Sequence, residues 1–313
     1  VLTPVAVVVA GVLEATLGEP PQRLHPVAWL GRLVTPFDRQ WSRPRAVGLT
    51  AAALLPLVAA ALVGTVVVLA VLAHSWLGIL VTGVALFVTT SLRMLLTEAR
   101  GVVTTTDADL PRARERLRSL AGRDAADLSA GQVRSAAVES AAENLADGLV
   151  APLGAFTVVA AVTGALDPAA QLGLAAGAAT WVKAVNTLDS MLGYRSKPVG
   201  WAPARLDDAV MWAPARVSVA LLAVASGRPD ALPAARAWLD GVPSPNSGWP
   251  MGVLAATAGV RLEKPGAYVL NPDAPLPTTA AAQSAVRTVG VAGVLAYLFA
   301  VGTLALTEGI GWS

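Results

Sequence analysis

Two apolar runs, 46–73 and 76–97, are separated only by His74 and Ser75, and the first is longer than the ~20 residues that a helix needs to cross a bilayer. A chain with such a pair must fold around membrane helices. Further runs follow at 149–166, 169–182, 209–226 and 289–307, and Val1 to Leu17 makes an apolar start that lacks a basic leader region and reads as a first membrane helix. Each run is continuous rather than alternating, which favours a helical bundle over a barrel. The expected fold is therefore all-α: a polytopic integral membrane helical bundle, one domain over 1–313, with cytoplasmic helical and loop elements.

Composition agrees. Of 313 residues 55% are hydrophobic and 14% charged, against about 25% charged in a soluble domain. Small residues dominate the apolar set and permit close helix contact in lipid. There is no cysteine, so disulfides, thiolate catalysis and cysteine-held metals are excluded, and His25 and His74 are too few for a histidine-rich metal site. Apart from Lys183, Lys197 and Lys264 the cations are arginines, suited to bidentate phosphate or carboxylate contacts. They sit in short loops where membrane orientation accounts for them, so no nucleic-acid partner is expected. Arg39, Arg43 and Arg45 before the hairpin and Arg93 and Arg100 after it place both its ends on the cytoplasmic side, with His74 at the outer turn. Trp29 to Arg45 has the make-up of an interfacial helix.

Two polar stretches stand out. Residues 99–147 have soluble character: Arg112, Arg114, Arg116 and Arg118 predict a basic amphipathic helix ended by Gly122, docked on the membrane surface, and Ser129 with Gln132 has the spacing of a capping box. The helix that follows carries Glu139, Glu143 and Asp147 at steps of four, with Asn144 beside them, and runs straight into a membrane segment. Carboxylates there are costly unless used, and hard oxygen ligands suit magnesium. The second stretch, 183–208, brings Lys183, Asn186, Asp189, Ser190, Arg205, Asp207 and Asp208 into one interval between apolar segments. The run 209–226 contains Pro214 and Arg216 and is expected to dip in and return; 227–288 reads as a polar loop whose sharpest pattern is Ser244-Pro245-Asn246-Ser247-Gly248-Trp249-Pro250. The pentapeptide Trp-Ala-Pro-Ala-Arg occurs at 201–205 and at 212–216, which reads as coincidence in a chain of this composition.

These motifs, in this order, resemble the CobD/CbiB family of cobalamin biosynthesis: His25-Pro26-Val27, Gly122-Arg123-Asp124, Val138-Glu139-Ser140-Ala141-Ala142-Glu143-Asn144 with Asp147-Gly148, Ala184-Val185-Asn186-Thr187-Leu188-Asp189-Ser190, Ala204-Arg205-Leu206-Asp207-Asp208, Pro214-Ala215-Arg216 and Ser244-Pro245-Asn246. Glu14, Glu19 and Met251 depart from the family pattern, and the tract from Tyr194 to Trp201 is short. The resemblance implies ATP-dependent amide formation between the free propionate of adenosylcobyric acid and an amino alcohol phosphate, aminopropanol phosphate or ethanolamine phosphate, through an acyl phosphate. It implies magnesium as cofactor and ATP as co-substrate. The catalytic set it suggests is Glu139, Glu143, Asp147, Lys183 and Asp189, with magnesium ligands drawn from Glu143, Asp147, Asp189, Asp207 and Asp208. Arg123, Asn144, Asn186, Ser190, Arg205, Arg216, Asn246 and His25 are the implied substrate contacts. The implied setting is a bacterial inner membrane with the site facing the cytoplasm, as a homo-oligomer or beside other late enzymes of the pathway. A transporter, or a phospholipid headgroup transferase, is the competing reading from the residues alone.

Overall fold

The computed structural model describes residues 2–17, 23, 25–121, 124–194 and 196–310. Its helices are α1 (Leu2–Thr16), α2 (Pro26–Val34), α3 (Pro44–Ala73), α4 (Ser75–Thr89), α5 (Leu92–Thr105), α6 (Leu110–Leu120), α7 (Ala130–Leu145), α8 (Ala151–Val162), α9 (Pro168–Leu192), α10 (Trp201–Val210), α11 (Trp212–Ser226), α12 (Ala231–Arg236), α13 (Gly248–Ala258) and α14 (Thr279–Ile310). Two three-residue strands, β1 (Leu262–Lys264) and β2 (Tyr268–Leu270), pair antiparallel with Glu263 opposite Val269. The chain is a helical membrane protein: four stretches, Pro44–Ala73, Ser75–Thr105, Ala130–Val162 and Thr279–Gly309, are long and apolar enough to cross a bilayer, or five if α10 and α11 count as one interrupted span.

The residues divide into two compact units. The first comprises Val1–Ser91, Asp147–Met211 and Ala296–Ser313. Its axis is α3 against α9, which meet so closely that a Cβ on Gly64 would lie 2.9 Å from the Gly173 carbonyl oxygen. Only glycine admits that backbone approach, the small-residue packing that membrane helices use in place of a hydrophobic drive. On its other side α3 turns Leu57, Leu62, Leu69 and Leu72 outward, 57–71% exposed, as a helix bathed in lipid does. Asp167 starts α9 by accepting from the amides of Ala169 and Ala170 at 3.0 and 3.1 Å, a cap that contributes about 1 kcal/mol. A polar contact is buried in the same unit, where the Thr90 hydroxyl lies 3.3 Å from Glu14 Oε2 and 3.2 Å from the Tyr297 hydroxyl.

The second unit comprises Leu92–Ala146 and Trp212–Leu295. Here α7 begins with the capping box expected from Ser129 and Gln132: the Gln132 amide donates to Ser129 Oγ and the Ser129 amide to Gln132 Oε1. The hairpin is tied to α7, since the Glu263 amide donates to Ser135 Oγ at 2.8 Å and Gln132 Nε2 to Glu263 Oε1 at 2.9 Å. Arg134 joins two further segments, donating to the Pro277 carbonyl, to Thr106 Oγ1 and to Asp107 Oδ1 at 2.7–3.0 Å.

Several expectations change. The stretch 227–288 is not a plain loop: it folds into α12, α13, the hairpin and the first turns of α14, because Pro229, Pro243 and Pro277 punctuate short elements rather than disorder them. The interfacial helix expected over 29–45 stops early. It comprises α2 and a 3-10 turn at Thr35–Phe37, and Pro36 and Pro44 keep the intervening residues out of a continuous helix. The run 76–97 is broken at Thr90 and Ser91. Both Trp-Ala-Pro-Ala-Arg copies open a helix, α10 and α11, so the repeat has a shared local role: its proline sits in the first turn, where no backbone donor is required. Half of the α6 cations serve the unit itself. Arg114 Nε donates to the Leu128 carbonyl at 2.8 Å, and Arg116 lies over Gly101 and 4.0 Å from Glu98. Gly122, Arg123 and Glu19 lie outside the described residues.

Candidate functional site

In the first unit the site residues are set by the last turns of α9. Ala184, Val185, Leu188 and Leu192 are buried, and the last two pack with Val34 and Val199 in a core that Phe37, Trp41 and Met191 border. That arc fixes the helix rotation, so Lys183, Asn186 and Asp189 fall on the opposite, half-buried arc, with Ser190 exposed beside them. Ser190 donates its proton to the Asn186 carbonyl at 2.8 Å, and Thr187 to that of Lys183 at the same distance. Their oxygens remain acceptors.

Asp189 is the most perturbed carboxylate of this arc. Burial, and then the negative charge of Asp208 on α10, push its pKa up to about 6. Burial raises the Asp208 carboxyl as well, against the opposing pull of the Arg205 charge, so both carboxylates lose water. Their hard oxygens are the donor type that magnesium takes, one or two from protein with the remainder from phosphate and water. Among the described residues no group of three histidine, aspartate or glutamate side chains forms a protein-only cage. Gly193 closes the turn: a Cβ there would collide with Asp189 Oδ1 and come within 2.8 Å of the Asp189 carbonyl oxygen. Arg205 stands exposed on α10, whereas Asp207 and Asp208 are half-buried. Lys197 bridges to Asp38 Oδ2 at 2.7 Å and lies over the Tyr194 ring. His25 caps α2, its Nδ1 accepting from the Val27 amide at 3.2 Å.

Residues Ala146–Val150 form a π turn, and Asp147 within it is half-buried, as are Glu143 and Asn144. The Gly148 carbonyl of this turn accepts from the Ser91 amide at 3.0 Å, and a Cβ at Gly148 would lie 2.7 Å from Ser91 Oγ.

In the second unit Glu139 is fully buried and receives two hydroxyl donors at 2.8 Å, Ser135 Oγ and the phenol of Tyr268. Glu143 and Asn144 are half-buried one turn on, Asn144 Nδ2 donating to the Ser140 carbonyl. A separate cluster forms around Arg216. Its guanidinium lies 5.0 Å from the Trp212 ring and 5.2 Å from Trp249, and Nη1 donates to the buried Asn246 Oδ1 at 2.6 Å and to the Trp212 carbonyl at 3.1 Å. Ser244 Oγ holds the loop, accepting from the amides of Asn246 and Ser247 at 3.2 Å. The sequence names Arg216 and Asn246 separately, as implied substrate contacts, and gives no role to Trp212 or Tyr268. For Trp212 the signal was available, an aromatic one turn before Arg216.

The fold defines a polytopic helical membrane protein. The chain belongs to the CobD/CbiB family, whose profile it matches over residues 7–302. It is 34% identical to a probable cobalamin biosynthesis protein CobD of Methanothrix thermoacetophila, with 93% of each chain covered. It is 36% identical to the cobalamin biosynthesis protein CobD of Rhodobacter capsulatus, over 78% of this chain and 75% of that one. It is 33% identical to the cobalamin biosynthesis protein CbiB of Salmonella choleraesuis, over 83% and 82%. No solved structure matches it.

Proposed function

We propose that the protein is an adenosylcobinamide-phosphate synthase, a membrane enzyme of cobalamin biosynthesis that joins adenosylcobyric acid to an amino alcohol phosphate at the expense of ATP. Its site would face the cytoplasm of a bacterial cell, where ATP is supplied. The observation that carries this reading is Asp189, half-buried on α9 with Lys183 and Asn186 and acted on by the charge of Asp208 on α10, in a chain of this family.

A carboxylate does not react with an amine at a useful rate until its oxygen becomes a leaving group. In the proposed reaction the propionate oxygen attacks the γ-phosphorus of ATP, ADP departs, and an acyl phosphate forms. The amine then attacks the acyl carbon, phosphate leaves, and the ammonium proton passes to a base. Asp189 and Asp208 would hold magnesium, which when bound neutralises the phosphate oxygens. Lys183 and Arg205 would hold phosphate oxygens by charge-assisted hydrogen bonds. A carboxylate whose pKa lies near 6 is a better proton acceptor than an ordinary one, which makes Asp189 the favoured base whenever its charge is not committed to the metal. Glu143 and Asp147 are the alternatives for that role. In the second unit Arg216, held between two indoles with Asn246 as acceptor, would receive a substrate carboxylate or phosphate on its remaining N–H groups.

The test is mass spectrometry of the corrinoid after detergent-purified protein has been incubated with adenosylcobyric acid, magnesium-ATP and aminopropanol phosphate, with ethanolamine phosphate in parallel. The expected result is a corrinoid heavier by the amine less water, with ADP and phosphate in equal amount. Folded protein that yields no amide with either amine, while ATP is intact, would overturn the reading.

A further inference from the structure

We infer that the first unit binds one anionic phospholipid, with its acyl chain in a groove along α3 and its phosphate at Arg45 and Trp201. The groove is made of two cavities in line. The larger, about 820 Å³, lies between α3, α8 and α9 and includes Gly64, Val68 and Val159; the smaller, about 350 Å³, lies between α3, α9 and α10 and includes Leu49, Ala202 and Leu206. Leu57 and Trp181 line both, so the two adjoin, and no charged residue lines either. Leu49 to Val68 spans 19 residues of one helix, roughly 28 Å at 1.5 Å per residue. A long, apolar, open-sided slot on a helix whose leucines face hydrocarbon suits an alkyl chain rather than a compact ring.

The headgroup end is marked by charge. Arg45 stands one turn before Leu49 on α3 and Trp201 directly before Ala202 on α10, so both flank the smaller cavity at the mouth of the groove. The Arg45 guanidinium lies 5.9 Å from the Trp201 ring, and both side chains are exposed. Arg43 and Arg39 add exposed positive charge, and the one acid of the segment 35–45, Asp38, is bridged to Lys197. A cation beside an indole at the start of a spanning helix is the arrangement that meets a lipid phosphate at the membrane interface. A second copy of the chain fits less well, because a two-fold contact along α3 would bring like charges, Arg45 and its symmetry mate, to the same end of the interface. The bound lipid braces α10, whose Leu206 lines the groove between Arg205 and Asp208.

The experiment is native mass spectrometry and phospholipid extraction of the full chain purified in mild detergent, followed by thermal shift on adding phosphatidylglycerol or phosphatidylcholine. Wild type is expected to keep one phospholipid per chain and to be stabilised more by phosphatidylglycerol. Ala61→Phe, which fills the groove from an exposed rim position, should weaken lipid binding about tenfold, and Ala178→Phe on the facing helix should do the same. Arg45→Gln should keep a lipid but lose the preference for phosphatidylglycerol. The proposal is overturned if extensively washed protein retains no phospholipid and gains no stability from phosphatidylglycerol. It is equally overturned if both Phe variants, folded as wild type in detergent, bind lipid unchanged, or if the groove proves to seat a second copy, seen as a dimer that both variants abolish.

Discussion

The carboxylate of Asp189 lies directly over the α-carbon of Gly193, so that a methyl group at 193 would occupy the space of Oδ1. Gly193 has φ −69° and ψ 11°, a conformation open to any residue, so the requirement for glycine is spatial and not conformational. Gly193→Ala should therefore turn the Asp189 carboxylate aside and, because the new Cβ also comes within 2.8 Å of the Asp189 carbonyl oxygen, shift the last turn of α9 slightly. Misplacing a reacting group by about 1 Å costs up to ~100-fold, and a fall of that order in amide formation, in protein that still melts cooperatively, is the expected result. Full activity in Gly193→Ala would remove Asp189 from the reacting groups.

Asp189 also sets a pH dependence. Its carboxyl, pushed up to about 6 by burial and by Asp208, is protonated below that pH and cannot then bind a metal or accept a proton. Activity should fall as pH drops through about 6. Removing the Asp208 charge in Asp208→Asn takes away one cause of the rise, so the acid limb of the residual activity should move to lower pH. A limb that stays in place, measured on kcat/KM from pH 5 to 8, would show that another group controls it.

The same shift has a stability sign. Folded Asp189 holds its proton up to about pH 6 whereas an unfolded aspartate loses it near 3.8, so stability declines as pH rises from about 4 to 6 and the cost persists above. Roughly two units correspond to about 3 kcal/mol. Asp189→Asn should melt higher than wild type at pH 8 and no higher at pH 4. Equal melting curves at pH 8 would show that the charge is solvated in the folded protein.

The sequence disclosed a chain built around apolar helices and the capping box at Ser129, because each rests on local chemistry within a few residues; the Asp167 cap went unread. The buried set Ala184, Val185, Leu188 and Leu192 has helical period, yet the expected membrane helix ends at 182, so the sequence missed the polar arc of α9. It could not disclose the π turn at Ala146–Val150. Within that turn the Gly148 carbonyl accepts from Ser91, 57 residues earlier, a contact that no local pattern announces. The hairpin was hidden for a related reason: strands of three residues carry too little alternation to read. Without the hairpin, the partner of Glu139 could not be named.

Glu139 was expected among the catalytic groups, and its place between Ser135 and Tyr268 makes a different outcome measurable. Each hydroxyl donates to a fully buried carboxylate, contacts worth about 1.5–3 kcal/mol apiece. Glu139→Ala should lower the melting temperature sharply, and Tyr268→Phe by less. Glu139→Gln preserves the shape and one acceptor, so it should keep most of the synthase activity if the residue anchors the hairpin. Activity lost in a Glu139→Gln protein of wild-type stability would return it to the reacting groups.

Arg216 and Asn246 lie 30 residues apart in sequence, yet the 2.6 Å bond between them is the shortest that either is seen to make. The Trp212 and Trp249 rings hold the guanidinium plane, a role that an ammonium cannot fill. Arg216→Lys should therefore behave almost as Arg216→Ala does, with KM for a carboxylate or phosphate substrate raised about tenfold or more and kcat reduced less. Asn246→Ala frees one Arg216 N–H and loosens its orientation, so it should raise the same KM by a smaller factor. The double variant should be little worse than Arg216→Ala alone, because the asparagine acts through the arginine; additive losses would show that each contacts substrate independently.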